Sequence, residues 1–297
     1  MHKRLALALT ALAFSLISFG GHTQEQGKAT VVGSFTWRET APWFGEISAL
    51  ELSEDGREFV ALSDKGRALS GKVSRNAEGR IETIEIEASS PLKDLSGKPL
   101  RKGNIDAEGL ALLPDGSLVV SFEGNHRLAH YADVSAPSDL LMKGAFFDAL
   151  QPNSGMEALA IDPEGALWTL PERSGGLSKP FPVWAFDGNN WENRFEISRS
   201  DGFLPVGADF DADGRLYILE RSFSGFGFGS RLRRFSPPFE GEQSGEILFF
   251  SAIGSHDNLE GIAIWKDAGG NIRATLVADD NFHILQRTEL LDLILPN

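Results

Sequence analysis

The feature that most constrains this chain is a short hairpin-like unit returning at nearly fixed spacing. Residues 47–62 (ISALELSEDGREFVAL), 108–122 (EGLALLPDGSLVVSF), 157–170 (EALAIDPEGALWTL) and 207–219 (GADFDADGRLYIL) each read as an alternating apolar run, an acidic-glycine turn and a second apolar run. Their turn glycines, Gly56, Gly116, Gly165 and Gly214, lie 60, 49 and 49 residues apart. A fifth, divergent copy runs from Glu260 to Ala278, with Gly269 and Gly270 in its turn. Two more strand-like runs follow each of the first four: 67–73 and 81–87, 127–131 and 140–147, 182–186 and 193–198, 230–235 and 245–251. Four strands per period of about 50 residues is the pattern of a propeller blade, and such a sheet buries its faces only against neighbours in a ring. In the fifth copy, 282–287 supplies a third strand and 30–37 a fourth, closing the ring between the chain ends. The expectation is therefore all-β: a β-propeller of four-stranded antiparallel blades filling residues 27–297 as one domain. Five blades are expected. Six is the alternative, with the spare segment 89–104 of the first period as material for reassigned strands. A β-sandwich would not explain the spacing.

Charge and cysteine content exclude several classes of function. The chain carries a net charge of −14 and no cysteine. An acidic surface repels duplex nucleic acid and anionic lipid, so no nucleic-acid partner is expected. Thiolate catalysis, thiolate metal sites and disulfides are excluded. Lys3 and Arg4 precede an apolar run from Leu5 to Phe19, which Gly20 and Gly21 break. A basic end, a short apolar stretch and a polar exit read as a secretory signal over residues 1–23, and the run is short for a membrane span. The expected product is a periplasmic or secreted monomer with no stable membrane span once the signal is removed.

Glutamates recur at one position of the repeat. Glu108 and Glu157 each lie eight residues before their turn glycine, and Glu260 opens the fifth copy in the same Glu-Gly/Ala-Leu/Ile-Ala context. Glu46 is two residues out of register, which strand periodicity keeps on the same face. The fourth copy has Val206 there instead. Inner strands line the central channel, so these groups converge at one mouth. Crowded carboxylates repel and desolvate one another, and a hard cation such as Ca²⁺ relieves both costs. The competing structural reading is that they accept backbone N–H bonds from neighbouring blades or pair with arginine. The expected metal ligands are Glu46, Glu108, Glu157, Glu260 and Asp280, and the expected catalytic groups are Glu108, Glu157, Glu260 and His256.

A second polar set follows the second strand of each copy: Asp64, Glu123 with Asn125, Glu172-Arg173, Glu220-Arg221, and Asp279-Asp280-Asn281. Arg173, Arg221 and Arg287 are candidates to clamp a phosphate or carboxylate, with Asn125 and Asn281 beside them. Pairing with the glutamates as ties between blades is the alternative. Ahead of the inner strands lie Asn104, Asp106, Asn153, Asp257 and Asn258, residues that often cap their own turns. His256 and His126 are possible proton carriers, while His283 fits a strand face. Asp209, Asp211, Asp213, Gly214 and Glu220 match a calcium-loop pattern in full, but Gly202–Gly207 and the β-type run 216–219 cannot supply its flanking helices. There is no G-x-S-x-G, H-E-x-x-H or P-loop.

Several of these segments carry a resemblance. NIDAEGLA (104–111), NSGMEALA (153–160), LER (219–221), DNLEGIA (257–263), DDNF (279–282) and QRT (286–288) look like the bacterial phytase-like, or esterase-like, family over nearly the whole mature chain. The resemblance implies a secreted propeller and cleavage of phosphate esters or other esters, with Glu108, Glu157, Glu220, Glu260, Arg221, Asp280 and Asn281 as the residues to carry over. Calcium-dependent propeller phytases, six-bladed with carboxylates at the channel mouth, are an analogy. The expected activity is hydrolysis of a small-molecule phosphate ester or other ester by metal-activated water at that mouth. The alternative is a noncatalytic exported propeller binding a small ligand, glycan or protein.

Overall fold

A computed structural model describes residues 26–151, 154–225, 227–283 and 286–297. The segment read as a signal, 1–23, and Asn153 lie outside the described residues. Five antiparallel sheets stand around one axis. Blade I comprises Ile47–Leu52, Glu58–Ser63, Arg67–Arg75 and Ile81–Pro91, and blade II comprises Ala107–Leu112, Leu118–Phe122, Arg127–Tyr131 and Ser138–Met142. Blade III is built from Ala158–Ile161, Leu167–Leu170, Phe181–Phe186 and Trp191–Ile197. Blade IV is built from Leu204–Phe210, Leu216–Phe223, Phe228–Phe235 and Glu246–Phe250. Blade V joins Asn258–Lys266, Ile272–Asp279 and Glu289–Ile294 to Thr30–Thr36 from the other end of the chain. Short edge strands, Gln26–Gly27 on blade IV and Glu242–Gln243 on blade III, extend two of the sheets.

The five-blade expectation holds, and so does the closure through Thr30–Thr36. Radial stacking accounts for the core: there is one apolar cluster at each of the five blade interfaces. The inner strand Ile47–Leu52 is buried at every position, because neighbouring blades cover both its faces, whereas the outer Ile81–Pro91 is largely half-exposed. The spare residues of the first period form no sixth blade. They lengthen Ile81–Pro91 and make a small excursion bridged by Lys93 and Pro99.

Two outer strands fall elsewhere than expected. The third strand of blade V is Glu289–Ile294 rather than 282–287. Asn281 and Phe282 adopt left-handed backbone (φ 47° and 44°) and His283 N–H donates to Asp280 O, so the chain turns there instead of extending. His283 therefore has no strand face, and the apolar alternation that the sheet buries begins only at Glu289-Leu-Leu. In blade II the outer strand is Ser138–Met142, and Ala145–Ala149 is a 3₁₀ turn. Phe146 and Phe147 leave the sheet there to pack on blade III, with Phe146 stacked on Trp184 at 4.3 Å.

Candidate functional site at the channel mouth

Four of the five inner strands slip register near their first residues: between Ile47 and Ala49, Ala107 and Leu110, Pro205 and Gly207, and Leu259 and Gly261. Such bulges re-aim a side chain. The irregularities bring Ser48, Glu108, Val206 and Glu260 to the channel, with Glu157 just ahead of the blade III strand completing the circle. The glycine after each strand glutamate allows the close approach. A Cβ on Gly109 would meet Leu159 Cβ and Ser121 Oγ at 2.7 Å, and one on Gly261 would meet Leu50 N at 2.9 Å. Below this circle the channel narrows to a cavity of about 10 Å³, the space of about one water. A substrate therefore meets the carboxylates from outside.

Glu46 is not in the circle; Ser48 holds the equivalent position in blade I. Glu46 precedes its strand with φ 51° and its carboxylate lies 2.8 Å from Lys65 Nζ. Lys65 also reaches Asp64 at 3.3 Å. Burial, then the charge of Glu46, pushes Asp64 up to about 7 against the pull of Lys65.

The second polar set forms an outer circle, and its register explains the arginines. Glu123, Glu172 and Arg221 each stand seven residues after their turn glycine. The two Glu-Arg dipeptides are thus one residue out of phase. Glu172 points into the mouth and Arg173 outward, half-exposed and 3.3 Å from Glu172. In blade IV, Arg221 points into the mouth and Glu220 away from it. Glu220 is fully buried between Arg231 Nε (2.7 Å) and Arg233 Nε (2.8 Å), a tie within the sheet.

Arg221 is the hub of one half of the mouth. It donates to Asn258 Oδ1 at 2.7 Å and to Glu260, and lies 3.5 Å from Glu172 and 3.9 Å from Glu157. Burial opposes its charge, but Glu260, Glu157 and Glu172 outweigh that and raise its pKa. Asn258 Nδ2 donates to Glu260 Oε1 at 2.7 Å. The structural alternative of blade ties through arginine thus describes Arg221, Glu172 and Glu260.

The other half, on blade II, has no such hub among the described residues. Oxygens of Asp106, Glu108 and Glu123 lie within 4.8 Å of one another. Glu123 Oε1 accepts the N–H of Gly155 at 2.7 Å, and Glu123 N–H donates to Asp106 O at 2.9 Å. Among the described residues, no hydrogen bond or ion pair ties the Glu108 carboxylate. Burial raises its pKa well above the usual range, and the charges that act on it, Glu157, Glu260, Glu123 and Asp106, push the same way. Glu157 is likewise raised by burial and by Glu172, with Arg221 opposing. Arg127 braces the loops around this group, donating to Asn104 O at 2.6 Å and Asn125 O at 3.0 Å.

The remaining sequence candidates lie around this core in supporting geometry. Asp280 accepts the Glu46 N–H at 2.9 Å and the Thr288 hydroxyl at 3.0 Å, bracing the turn on which Asn281 sits. Asn281 N–H donates to Asp279 Oδ1 at 2.8 Å. Asp279 itself is pushed up to about 8 by burial and by Glu260. Asn125 is exposed, its amide donating to Asn104 Oδ1 at 3.3 Å. Arg287 is exposed, 3.6 Å from Asp257. His256, its side chain 9% exposed, lies between blades IV and V, 3.5 Å from Glu289 and packed near Phe249. His126 Nε2 lies 3.0 Å from Gln151 O. The calcium-loop match is closed by its own side chains: Asp211 accepts Arg215 Nε and the Tyr217 hydroxyl, and Asp213 pairs with Arg215. Asp106, Glu123 and Glu172 were not among the sequence-derived site residues. The spacing of seven from the turn glycine, read against Arg221, would have marked the last two.

Two solved structures of similar fold are distant in sequence. The PQQ-bound aldose sugar dehydrogenase of Streptomyces coelicolor is 14% identical with a TM-score of 0.51, covering 91% of this chain and 100% of its own. The catalytic domain of a Coprinopsis cinerea α-L-arabinofuranosidase is 11% identical with a TM-score of 0.50, covering 91% and 96%. At such identities the likeness is one of fold alone. No curated protein matches the sequence. The family described as phytase-like, esterase-like activity of phytase, matches residues 42–282, most of the ring including every carboxylate of the mouth. The chain belongs to the phytase-like (esterase-like activity of phytase) family.

Proposed function

We propose that this protein is an exported hydrolase of phosphoric or other esters, acting at the channel mouth with a hard divalent cation such as Ca²⁺ held by Asp106, Glu108 and Glu123. The observation that carries the reading is that, among the described residues, these three carboxylates share a volume with no ion pair to an arginine or lysine, the charge of Lys65 reaching only Asp106, while the adjoining carboxylates have Arg221. Their donor set is oxygen only, which suits a hard cation. When bound, such an ion supplies Lewis acidity towards the ester oxygen and a more acidic water. The chain's own groups have complementary tasks. Burial and then the charge of Glu172 raise the pKa of Glu157 while Arg221 opposes them, and a carboxyl shifted in that direction is better suited to deliver a proton to a leaving oxygen than an ordinary one. Arg221 fixes Glu157, Glu172 and Glu260 in place. Its charge is spread over these partners, so it offers little to a substrate phosphate without a cation nearby. Among the described residues no helix is long and apolar enough to cross a membrane.

The test is hydrolysis of phytate, a nitrophenyl phosphate and a nitrophenyl acetate, with Ca²⁺ and with chelator, by the protein and by its Glu108→Gln variant. Chelator-sensitive turnover that Glu108→Gln removes supports the reading. Turnover indifferent to both contradicts it. Ca²⁺ binding without turnover of any ester favours the noncatalytic binding propeller.

A further inference from the structure

The face opposite the mouth holds a second cavity, of about 420 Å³, between blades III and IV. Strand direction fixes its place. Inner strands begin at the mouth and end in the turns at Gly165 and Gly214, and the cavity lies between those turns and the outer connections near 187–190 and 237–239.

Three aromatic side chains line it, Phe239 and the edges of Trp168 and Phe210, the latter two 5% and 7% exposed. Trp168 meets Phe210 and Phe239 edge to face, at centroid distances of 5.3 and 5.1 Å. The indole is held by Nε1 donating to Asp162 Oδ2 at 2.7 Å. Around the walls stand Glu164, Asp187, which accepts the N–H groups of Asn189 and Asn190, Glu192, and Asp213, which pairs with Arg215 at 2.8 Å; one guanidinium, Arg194, lines the cavity itself. Arg194 already shows which chemistry the walls accept: it lies 5.8 Å from the Trp168 ring centroid and 3.7 Å from Glu192. It is half-exposed, so it can be displaced at little cost.

We propose that this cavity binds a small organic cation of ammonium or guanidinium type. Aromatic walls attract such a cation through the ring quadrupole, and the acidic rim supplies the counter-charge. An anionic ligand is repelled by the same rim. A neutral sugar can donate its hydroxyls to the carboxylates but draws nothing from their net charge. The volume suits a head group rather than a macromolecular surface. The site stands apart from the mouth and does not depend on the hydrolase reading.

The test is calorimetric titration of the full chain with choline, with choline's uncharged carbon isostere, and with N-acetyl-arginine amide as a stand-in for a peptide side chain. Saturable binding of at least one cation, absent for the isostere, supports the proposal. Choline alone points to a free ammonium compound, and the arginine derivative alone to a side chain of a partner. Glu192→Gln should weaken binding about two- to fivefold and Arg194→Ala should strengthen it by a similar factor. Glu108→Gln, at the other face, should change nothing. Both rim substitutions are at the surface, so folding is not at stake as it would be for Trp168. The proposal is overturned if no cation binds saturably, if the isostere binds as tightly, or if both rim substitutions leave affinity unchanged.

Discussion

The two halves of the mouth solve one electrostatic problem in different ways. On the side of blades III to V, Glu157, Glu172 and Glu260 converge on Arg221. On blade II, Asp106, Glu108 and Glu123 converge on each other. The first half is an ion cluster gathered by one guanidinium. The second leaves charge repulsion that the Gly155 N–H at Glu123 and the charge of Lys65 near Asp106 relieve only in part, and such residual cost is common at functional sites. The difference comes from one substitution in the repeat: blade IV carries arginine where blades II and III carry Glu123 and Glu172. It also carries Val206 where its neighbours have a channel glutamate.

The sharpest way to break the comparison is to remove the hub. Arg221→Met should cost about 3–5 kcal/mol in urea unfolding at neutral pH, because three buried carboxylates lose their partner. Removing a carboxylate from the other half should have the opposite character. Glu108→Gln should leave the chelator-treated protein as stable or more so, while ester turnover with Ca²⁺ falls about 10²–10³-fold, the worth of several kcal/mol of transition-state stabilisation. If both substitutions destabilise alike, the two halves are not different in kind.

Proton linkage sharpens the contrast next. Asp279 is raised to about 8, and Asp64 to about 7. At the far end of the channel Asp209 is also raised to about 7, chiefly by burial. A carboxyl with a raised folded-state pKa binds its proton more tightly folded than unfolded. Its contribution is fully present below the ordinary value near 4 and is lost as pH rises through the folded value. Urea stability in chelator should therefore decline between about pH 4 and pH 8, by on the order of 1–3 kcal/mol. Ca²⁺ should restore more of it at pH 8 than at pH 5, and in Glu108→Gln that restoration should shrink. The smallest effect is expected from Arg173→Met, whose half-exposed pair with Glu172 is worth less than about 1 kcal/mol. A loss as large as that of Arg221→Met would mean that phase in the Glu-Arg dipeptides does not matter.

The ring was legible in the sequence because its cause is periodic. Turn glycines at 116, 165 and 214 and the recurring apolar pairs require stacked hairpins, and Glu108, Glu157 and Glu260 followed from register. What the sequence hid was local geometry. Glu46 reads as a channel residue until the slip between Ile47 and Ala49 gives that place to Ser48. Glu220 and Glu172 look alike in their dipeptides, yet one is sealed against Arg231 and Arg233 and the other faces the mouth. Asp106 precedes its strand and joins Glu108 only because the chain folds back on Glu123. The strand Glu289–Ile294 was displaced from its expected place by a turn at Asn281 and Phe282 whose left-handed backbone has no glycine to announce it.

The most direct measurement is anomalous scattering from a crystal of the mature chain grown with Ca²⁺. One ion bounded by Asp106, Glu108 and Glu123, with Arg221 still joined to Glu260, is the predicted result. An ion seated instead among Glu157, Glu172 and Glu260 with Arg221 swung away, or an empty mouth at saturating Ca²⁺, would contradict the division of the mouth into a closed half and an open one.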